Sequence, residues 1–396
     1  MGKYNFDEVI DRRGTNSSKW DGFESRFPGY NVRGALPMWV ADMDFRAPDE
    51  VIKVITEKAA HGIYGYPCAK GKGFDSAVKG WLSKRHGWEI DESWVVNTQG
   101  VVPAVTYAVQ AFTEEGDGVL IQTPVYYPFK DRCIRFNNRR AVENPLIYKD
   151  GKYEIDFEDF EKKAADERTK LFILCSPHNP VGRVWTKDEL KRLADICERN
   201  GVLIFSDEIH SDLIMPGSKH TPTGSIAKPD RVIAAYAPSK TFNLAGLKTS
   251  AIVIPDRYIR ETYQRQIRKD EAGGLNIFGA AALEAAYSFG EDYLEELLVY
   301  ISGNINYAEN YINENLDGVT ASKTEGTYFL WIDFRGTGLS SKEINHRVLE
   351  EAKVAGDLGE WFGKEGEGFL RLNLACPRKT VDEALNRLNR VFGKKK

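Results

Sequence analysis

Four continuous apolar runs constrain the fold of this chain more than any other feature of its sequence. They lie within Gly118–Pro124, Lys170–Pro180, Gly201–His210 and Asp230–Lys240, and their centres read GVLI, KLFILC, GVLIF and RVIAAY. Hydrophobic residues follow one another in each run instead of alternating with polar ones. This pattern is typical of parallel strands that are buried on both faces.

The segments between these runs carry helix signals. The stretch TKDELKRLADICERNG has Thr186 as its N-cap and Glu189 three residues later, which is the arrangement of a capping box, and it stops at Gly201. Strands and helices that alternate in this way form right-handed crossovers. The sequence therefore predicts a doubly wound α/β domain with a mostly parallel sheet.

The pattern changes towards both ends of the chain. Residues 1–47 are rich in Gly, Asn, Pro and Trp and show few regular elements, which indicates an N-terminal arm. After about Gly290 a long charged helix leads into TYFLWIDF and GFLRLNLA, which resemble strands. We predict a large domain over residues 48–288, and a smaller α+β domain formed by residues 289–396 together with part of the arm.

The composition excludes several classes of function. Since 54 Lys and Arg face 58 Asp and Glu, the net charge is −4 and there is no basic field for nucleic acid. No apolar run approaches the roughly 20 residues that span a bilayer, and the polar N-terminus lacks a hydrophobic signal core. The five cysteines are scattered without CxxC pairs, which is typical of reduced thiols. We expect a cytoplasmic protein that binds neither nucleic acid nor membrane.

Side chains suited to chemistry follow the four predicted strands. In open α/β sheets, ligands bind outside the carboxyl ends of the strands, so the residues just after each run are candidates for a site. They are Tyr126, Asn179, Asp207, His210, Ser239 and Lys240.

This set of side chains suits pyridoxal phosphate. A lysine amine becomes nucleophilic when burial or a second cation lowers its pKa, and Lys240 has an apolar setting with Lys248 nearby in sequence. Asp207 can pair with the pyridinium nitrogen, Asn179 can donate to the phenolic oxygen, and Tyr126 can stack on the ring. Taken singly, each residue also has an ordinary structural explanation: a surface lysine, a helix cap, a turn former or a core aromatic ring.

An anion site is predicted at the start of one helix. The stretch NTQGVVPAVTYAV runs from a short strand through Gly100 into a helix, whose first amides can bind phosphate. Ser239 could add a hydroxyl group and Lys248 a charge. The sequence has no GK[ST] phosphate loop, no GxSxG elbow and no spacing of metal ligands.

These residues resemble the fold type I pyridoxal-phosphate enzymes of the aspartate-aminotransferase superfamily. SPHNPVGRVWTKDEL, FSDEIHSDL, APSKTFNLAGLK and GFLRLNLACPR carry the resemblance in order along nearly the whole chain. Within the superfamily the sequence is most similar to the cystathionine β-lyase or C–S lyase branch of MalY/PatB type. DRRGTNSSKWD, LPMWVADMDF, YGYP and the histidine of DEIH indicate this branch.

The resemblance implies roles at the cofactor. Lys240 would bind it covalently and then move the proton at the substrate's α-carbon, while Asp207, Asn179 and Tyr126 would contact the ring. His210 stands where most aminotransferases of the superfamily have tyrosine, so it would lie at the ring or orient Asp207 or Tyr126. The expected phosphate ligands are the backbone amides of Gly100, Val101 and Val102 together with Ser239 and Lys248.

The resemblance also implies how the substrate is held. Arg371 would bind the α-carboxylate of a small amino acid, since an arginine inside the apolar strand FLRLNL needs an anionic partner. The backbone of Ala41 and Asp42 would face the same carboxylate. Tyr64 would reach the phosphate of the other subunit and could supply a proton to the leaving group, which makes the enzyme an obligate homodimer with its site at the interface.

Four functional hypotheses follow from the sequence. The first is β-elimination from L-cystathionine, cysteine or related S-conjugates, which yields a thiol, pyruvate and ammonia. The second is an aminotransferase for an amino acid and a 2-oxo acid, which uses the same lysine, aspartate and arginine. The third adds a regulatory protein partner to the enzyme, and the fourth is a catalytically inactive relative.

Overall fold

The computed structural model describes residues 2–67 and 73–394. Its α-helices are α1 (Asp49–His61), α2 (Phe74–His86), α3 (Val101–Phe112), α4 (Phe157–Ala164), α5 (Lys187–Arg199), α6 (Pro238–Thr241), α7 (Arg257–Lys269), α8 (Ile277–Phe289), α9 (Glu291–Asn315), α10 (Ser341–His346) and α11 (Arg378–Phe392). No helix in these two ranges is both long enough and apolar enough to cross a membrane.

The strands are mostly short. They are β1 (Leu36–Pro37), β2 (Val95–Thr98), β3 (Gly118–Ile121), β4 (Arg140–Glu143), β5 (Ile147–Lys149), β6 (Lys152–Glu154), β7 (Thr169–Cys175), β8 (Leu203–Asp207), β9 (Val232–Tyr236), β10 (Ser250–Val253), β11 (Thr320–Ala321), β12 (Phe329–Asp333), β13 (Val354–Ala355), β14 (Asp357–Leu358) and β15 (Phe369–Asn373).

Seven of these strands form the central sheet, in the order β2-β10-β9-β8-β7-β3-β4. The four apolar runs of the sequence are β3, β7, β8 and β9, which pair in parallel as neighbours. Only β10 runs against its neighbours β2 and β9. The predicted doubly wound, mostly parallel α/β sheet is therefore confirmed.

Burial explains why these strands are apolar throughout. All five residues of β8 and all five of β9 are buried, and β7 exposes only Lys170. Burying one Val, Leu, Ile or Phe side chain contributes about 1.5–3 kcal/mol. Removing one ring from this layer, as in Phe172→Ala, would cost about 3–5 kcal/mol.

The helix predicted after Thr186 is present with both halves of its capping box. Thr186 accepts from the backbone amide of Glu189, and the Glu189 side chain accepts from the backbone amide of Thr186. The helix ends at Arg199 rather than at the glycine, because Asn200 adopts a non-helical conformation and Gly201 a left-handed one with φ +69°.

A second, antiparallel sheet has the order β11-β12-β15-β14. The N-terminal arm joins this part of the chain, since Leu36–Pro37 pairs in parallel with Val354–Ala355. Between residues 2 and 35 the arm has one short 3-10 helix, Glu24–Arg26, and otherwise turns, bends and irregular backbone. The proposed boundaries at residues 47/48 and 288/289 stay a prediction.

Candidate active site

The carboxyl ends of β7, β8 and β9 place the predicted residues side by side. Cys175, Asp207 and Ala235 are register partners across the three strands. Asp207 is thus the last residue of β8, and Lys240 lies a few residues beyond the end of β9, in the single turn of α6. Asn179 follows β7 and is buried.

A cavity of about 710 Å³ opens at this end of the sheet. Of the residues proposed from the sequence, five line it: Ala41, Asp42, Tyr126, Lys240 and Arg371. Two parts of the chain that are distant in sequence therefore meet here, namely the arm and the strand that carries the arginine.

Lys240 has the properties of a reactive amine. Its Nζ donates to the carbonyl oxygen of Ala41 at 2.8 Å. Burial lowers the pKa of Lys240 to about 8; the carboxylates of Asp42 and Asp207 oppose this shift, and Arg371 adds to it. The sequence suggested Lys248 as the second cation, but Lys248 is exposed and Arg371 takes this part instead.

Asp207 is a buried carboxylate whose negative charge is offset by few neighbouring groups. Its Oδ1 accepts from the backbone amide of Ile209 at 3.1 Å. Burial raises the pKa of Asp207 to about 7, although this amide and the charge of Lys240 act in the opposite direction. A cation placed against the carboxylate would restore its ionised form.

Arg371 lies in β15 and is almost fully buried. Its Nη1 donates to Asn179 Oδ1 at 2.7 Å, and its Nη2 donates to the carbonyl oxygen of Trp39 at 2.9 Å and to the carboxylate of Asp357. The guanidinium also lies 3.9 Å from the ring centre of Phe329. Three of its five N–H groups are used, so Nε–H and one Nη1–H remain for a substrate.

Asp357 was not found by sequence reasoning. Its Oδ2 pairs with Arg371, whereas its Oδ1 is buried and has no hydrogen-bond partner among residues 2–67 and 73–394. Burial raises the pKa of Asp357, although Arg371 and Arg26 both counteract this effect. Asp357 also lines the cavity, so a carboxylate stands beside the arginine that we expect to bind one.

The start of α3 is open to an anion. Gly100 is its N-cap with φ +112°, a conformation that favours glycine, and a Cβ there would meet only Pro103 Cδ at 3.9 Å. Val101 is buried and Val102 is half-buried. Ser239 is buried next to Lys240, while Lys248 has a left-handed backbone with φ +47°.

Aromatic residues complete the surroundings of the lysine. The Tyr126 amide donates to the carbonyl oxygen of Asn179 at 3.1 Å, and its ring lies edge-on to Phe129. His210 is buried against the rings of Tyr328 and Phe329.

The Nδ1 of His210 has no hydrogen-bond partner within the described part of the chain. Burial and the charges of Lys240 and Arg371 hold the pKa of His210 well below its usual value, so the ring is neutral. Its ring contacts are those to Tyr328 and Phe329, and its expected role at the cofactor or beside Asp207 or Tyr126 stays a prediction.

Tyr64 is 60 % exposed and is not among the residues that line this cavity. Its hydroxyl group donates to the carbonyl oxygen of Ala59 at 2.7 Å, and its ring contacts Phe278. Ile63 and Tyr66 beside it are exposed as well.

The loop that faces Lys240 is fixed by residues that the sequence did not single out. Asn243 accepts from the amide of Met43 and donates to the carbonyl oxygens of Met43 and Phe45. Asn373 donates to the carbonyl oxygen of Asp42 at 2.6 Å, and Tyr328 donates to that of Ala41 at 3.0 Å. Asn243 follows Lys240 by three positions and Asn373 follows Arg371 by two. This closeness in sequence to the two predicted residues was the available signal.

The arm motif DRRGTNSSKWD covers the same loop through an ion cluster. Arg12 pairs with Asp42 at 2.6 Å and with Asp44 at 2.8 Å, and Lys19 pairs with Asp44 at 2.7 Å. Lys19 is only 1 % exposed, so this charge is held inside the protein by its partners.

Comparison with known proteins identifies the family. Residues 38–388 match the model of the family "Aminotransferase class I and II". The chain belongs to this family.

Individual relatives lie in its carbon–sulfur lyase branch. The chain is 46 % identical over 386 residues to cystathionine β-lyase PatB of Bacillus subtilis (strain 168), covering 97 % of this chain and 98 % of that protein. It is similar to the structure of cystalysin from Treponema denticola, which contains pyridoxal 5′-phosphate, with a TM-score of 0.93, 40 % identity and 98 % of both chains covered. The C–S lyase from Staphylococcus hominis with bound cofactor gives a TM-score of 0.90, 34 % identity and 98 % coverage of both chains.

As a class I and II family member, the protein is a fold type I enzyme that uses pyridoxal phosphate and acts on amino acids. The residues present fit this cofactor. The buried carboxylate of Asp207 accepts a hydrogen bond from the Ile209 amide and has a raised pKa, which a cationic partner would lower; a Cβ at Gly100 would meet only Pro103, and the pKa of the Lys240 amine is lowered to about 8.

Proposed function

We propose that the protein is a pyridoxal-phosphate-dependent carbon–sulfur β-lyase. It converts L-cystathionine, cysteine or a related S-conjugate and one water molecule into a thiol, pyruvate and ammonia. The observation that carries this proposal is the cavity in which Lys240, with its lowered pKa, meets Arg371, in a chain 46 % identical to a cystathionine β-lyase.

Lys240 holds the cofactor and moves the proton at the substrate's α-carbon. When bound, pyridoxal phosphate stabilises negative charge at that carbon by spreading it into a protonated ring. Asp207 is the group for the ring nitrogen, because a buried carboxylate with a raised pKa gains most from a cationic partner. Lys240 can accept the α-proton because the neutral amine is well populated near pH 8.

The ring and phosphate contacts are assigned from position. Tyr126 offers its ring at the cavity wall, and Asn179 lies between this tyrosine and Arg371. The amides of Gly100, Val101 and Val102 at the start of α3 hold the phosphate, together with Ser239 and Lys248. His210, a neutral ring packed against Tyr328 and Phe329, completes the surroundings of Lys240.

Arg371 orients the substrate by binding its α-carboxylate. Nε–H and one Nη1–H are free for this purpose, and the loop at Ala41 and Asp42 faces the same space. With the carboxylate held there, the α-proton lies within reach of Lys240. The thiolate leaves from the β-carbon, and because thiols are good leaving groups it needs little acid assistance.

We further propose a homodimer in the cytoplasm. Tyr64, Ile63 and Tyr66 form an exposed apolar strip, which a second subunit can cover. In that arrangement the partner subunit's Tyr64 reaches the phosphate and can protonate the departing sulfur. A regulatory protein that binds the same dimer stays a prediction.

Pyruvate and free thiol released from L-cystathionine by the purified holoenzyme test the proposed reaction. We expect both products in equal amounts, and neither from Lys240→Ala. Transfer of the amino group to a 2-oxo acid without pyruvate release would show an aminotransferase instead. A cofactor-loaded protein without either activity would reject an enzymatic role.

A further inference from the structure

A second group of buried titratable residues lies close to the site but does not line its cavity. It consists of Glu208 and Asp212, in the loop that begins at the end of β8, with His220 and His86 as their partners; we call it the carboxylate–histidine cluster. In each carboxylate–histidine pair both side chains are at most 5 % exposed. Its members are not among the residues that line the 710 Å³ cavity.

Asp212 connects its own loop to α2 and to the turn α6. Its Oδ1 accepts from Trp81 Nε1 at 3.0 Å and pairs with His86 Nε2 at 2.8 Å, both from α2. Its Oδ2 accepts from Thr241 Oγ1 at 2.8 Å. Thr241 directly follows Lys240, so Asp212 holds the turn that carries the reactive lysine.

Glu208 fixes the neighbouring strand end in the same way. Its Oε1 accepts from Ser206 Oγ and from the amide of Thr223, both at 2.9 Å. Its Oε2 pairs with His220 at 2.8 Å and accepts from Tyr236 Oη at 2.5 Å. Glu208 directly follows Asp207, and Tyr236 ends β9, the strand that leads to Lys240.

The two halves of the cluster are in contact. The rings of His86 and His220 lie edge to face with their centres 5.4 Å apart. The histidines and the other donors hold the pKa of Asp212 and of Glu208 below the usual range despite burial, so both carboxylates are charged.

Burying two charged carboxylates is a poor way to gain stability, because desolvation costs about as much as their partners return. Such pairs can instead select one arrangement of the groups around them. Here the groups concerned are the neighbours of Asp207 and Lys240. The turn α6 has only four residues, so its own backbone bonds cannot fix the lysine firmly.

We propose that the carboxylate–histidine cluster positions Lys240 relative to Asp207, with Asp212 acting through Thr241 and Glu208 acting through the end of β8. The cluster touches neither the substrate nor the cofactor, so its members are positioning residues. This inference rests on the proposed function only for its kinetic test, because the placement of Lys240 can also be measured without turnover.

The Thr241 hydroxyl group gives the sharpest test. Thr241→Val keeps the shape of the side chain and removes the bond to Asp212, while Thr241→Ser keeps the hydroxyl group. Thr113→Val is the matched control, since its buried hydroxyl donates to the Val109 carbonyl oxygen at 2.5 Å at the far end of α3, away from the cavity. Asp212→Asn and Glu208→Gln extend the series.

Three quantities are measured on each holoenzyme: kcat and KM for pyruvate release from L-cystathionine, the midpoint of the pH titration of the cofactor's visible absorbance without substrate, and the melting temperature. For Thr241→Val we expect kcat to fall about tenfold or more with KM little changed, since small misplacements of catalytic groups are costly. We expect the midpoint to move by about half a pH unit or more. Thr241→Ser should restore both quantities, and Thr113→Val should change only the melting temperature.

A purely structural role predicts a different result. If Thr241→Val lowers the melting temperature but keeps the kcat and the midpoint of the wild type, the proposal is wrong. It is also wrong if Thr241→Ser behaves like Thr241→Val. Should the wild type release no pyruvate, the lyase assignment fails, and the absorbance midpoints of the Thr241 variants still decide the positioning role.

Discussion

Asp357 and the α-carboxylate of a substrate share the charge of Arg371 although they use different N–H groups, and we expect Asp357→Asn to reveal a competition for this charge. In the ligand-free protein the carboxylate of Asp357 pairs with Arg371 Nη2. The substituted amide keeps the shape of the side chain and can still accept a hydrogen bond, but it carries no charge. The guanidinium then offers its full positive charge to the α-carboxylate of a substrate.

The size of the effect follows from the bond that changes. Hydrogen bonds to charged groups contribute about 1.5–3 kcal/mol, and we take the ion pair at the upper end of this range and the bond from the guanidinium to a neutral amide at its lower end. Their difference is about 1–1.5 kcal/mol, and 1.4 kcal/mol is a factor of ten in affinity. We therefore expect KM for L-cystathionine to fall about five- to tenfold in Asp357→Asn.

The same change should destabilise the free protein, because a buried charge that loses its counter-ion costs about 3–5 kcal/mol. A carboxylate ligand replaces the missing partner. An unreactive amino-acid analogue should hence raise the melting temperature of Asp357→Asn more than that of the wild type. Steady-state kinetics and thermal unfolding with and without the analogue measure both effects.

A suitable control is Asp333→Asn, which removes an Asp–Arg pair with the half-exposed Arg335. We expect it to cost at most about 1 kcal/mol and to leave KM unchanged. A higher KM in Asp357→Asn, with no extra stabilisation by the analogue, would show that Asp357 holds Arg371 in its binding position. The idea of competition would then be refuted.

Three further predictions concern the cofactor end of the site. Lys240→Ala should lose the visible absorbance band of the holoenzyme and its pyruvate release while keeping its fold by circular dichroism; a variant that retains the band would contradict the assignment. Asp207 has a pKa raised from 3.8 to about 7, so the folded state binds more protons than the unfolded state between these values and stability falls as pH rises through them. In the cofactor-free protein, Asp207→Asn should raise the melting temperature more at pH 8 than at pH 5, and an equal gain at both would speak against this pKa. Gly100→Ala has room for its Cβ but is strained at φ +112°, so we expect a loss of about 1–3 kcal/mol in unfolding experiments and weaker cofactor binding, whereas unchanged cofactor affinity would exclude this glycine from the phosphate site.

The sequence was informative where the physical signal is local. The strands β7, β8 and β9 are readable as uninterrupted apolar runs because burial on both faces acts on every residue. The capping box at Thr186 spans three residues and was found for the same reason. Asp207 and Lys240 follow from these strands, since a parallel sheet places all carboxyl ends at one edge.

Contacts between distant segments could not be predicted in this way. Asn243 reaches Met43 across 200 positions, and Arg371 reaches Asp357 because β14 and β15 pair in one particular register. Nearness in sequence was misleading for Lys248, which is close to Lys240 along the chain but exposed. A cation acts through distance in space, and the sheet brings Arg371 to the lysine instead.

The docking of the N-terminal arm on later strands has a consequence for the order in which the site forms during synthesis. All seven strands of the central sheet lie between residues 95 and 253, so a ribosome can release them long before the chain is finished. Domains fold during synthesis from the N-terminal side.

The substrate side of the cavity needs segments that flank the sheet on both sides in sequence, because Leu36–Pro37 docks on Val354–Ala355 and the loop at Asp42 is closed by Asn373. A nascent chain can thus acquire its sheet and its lysine early but gains a place for an amino acid only after β15 has been made. Premature termination after β12 would leave a protein with the lysine in place and no arginine to direct a substrate towards it.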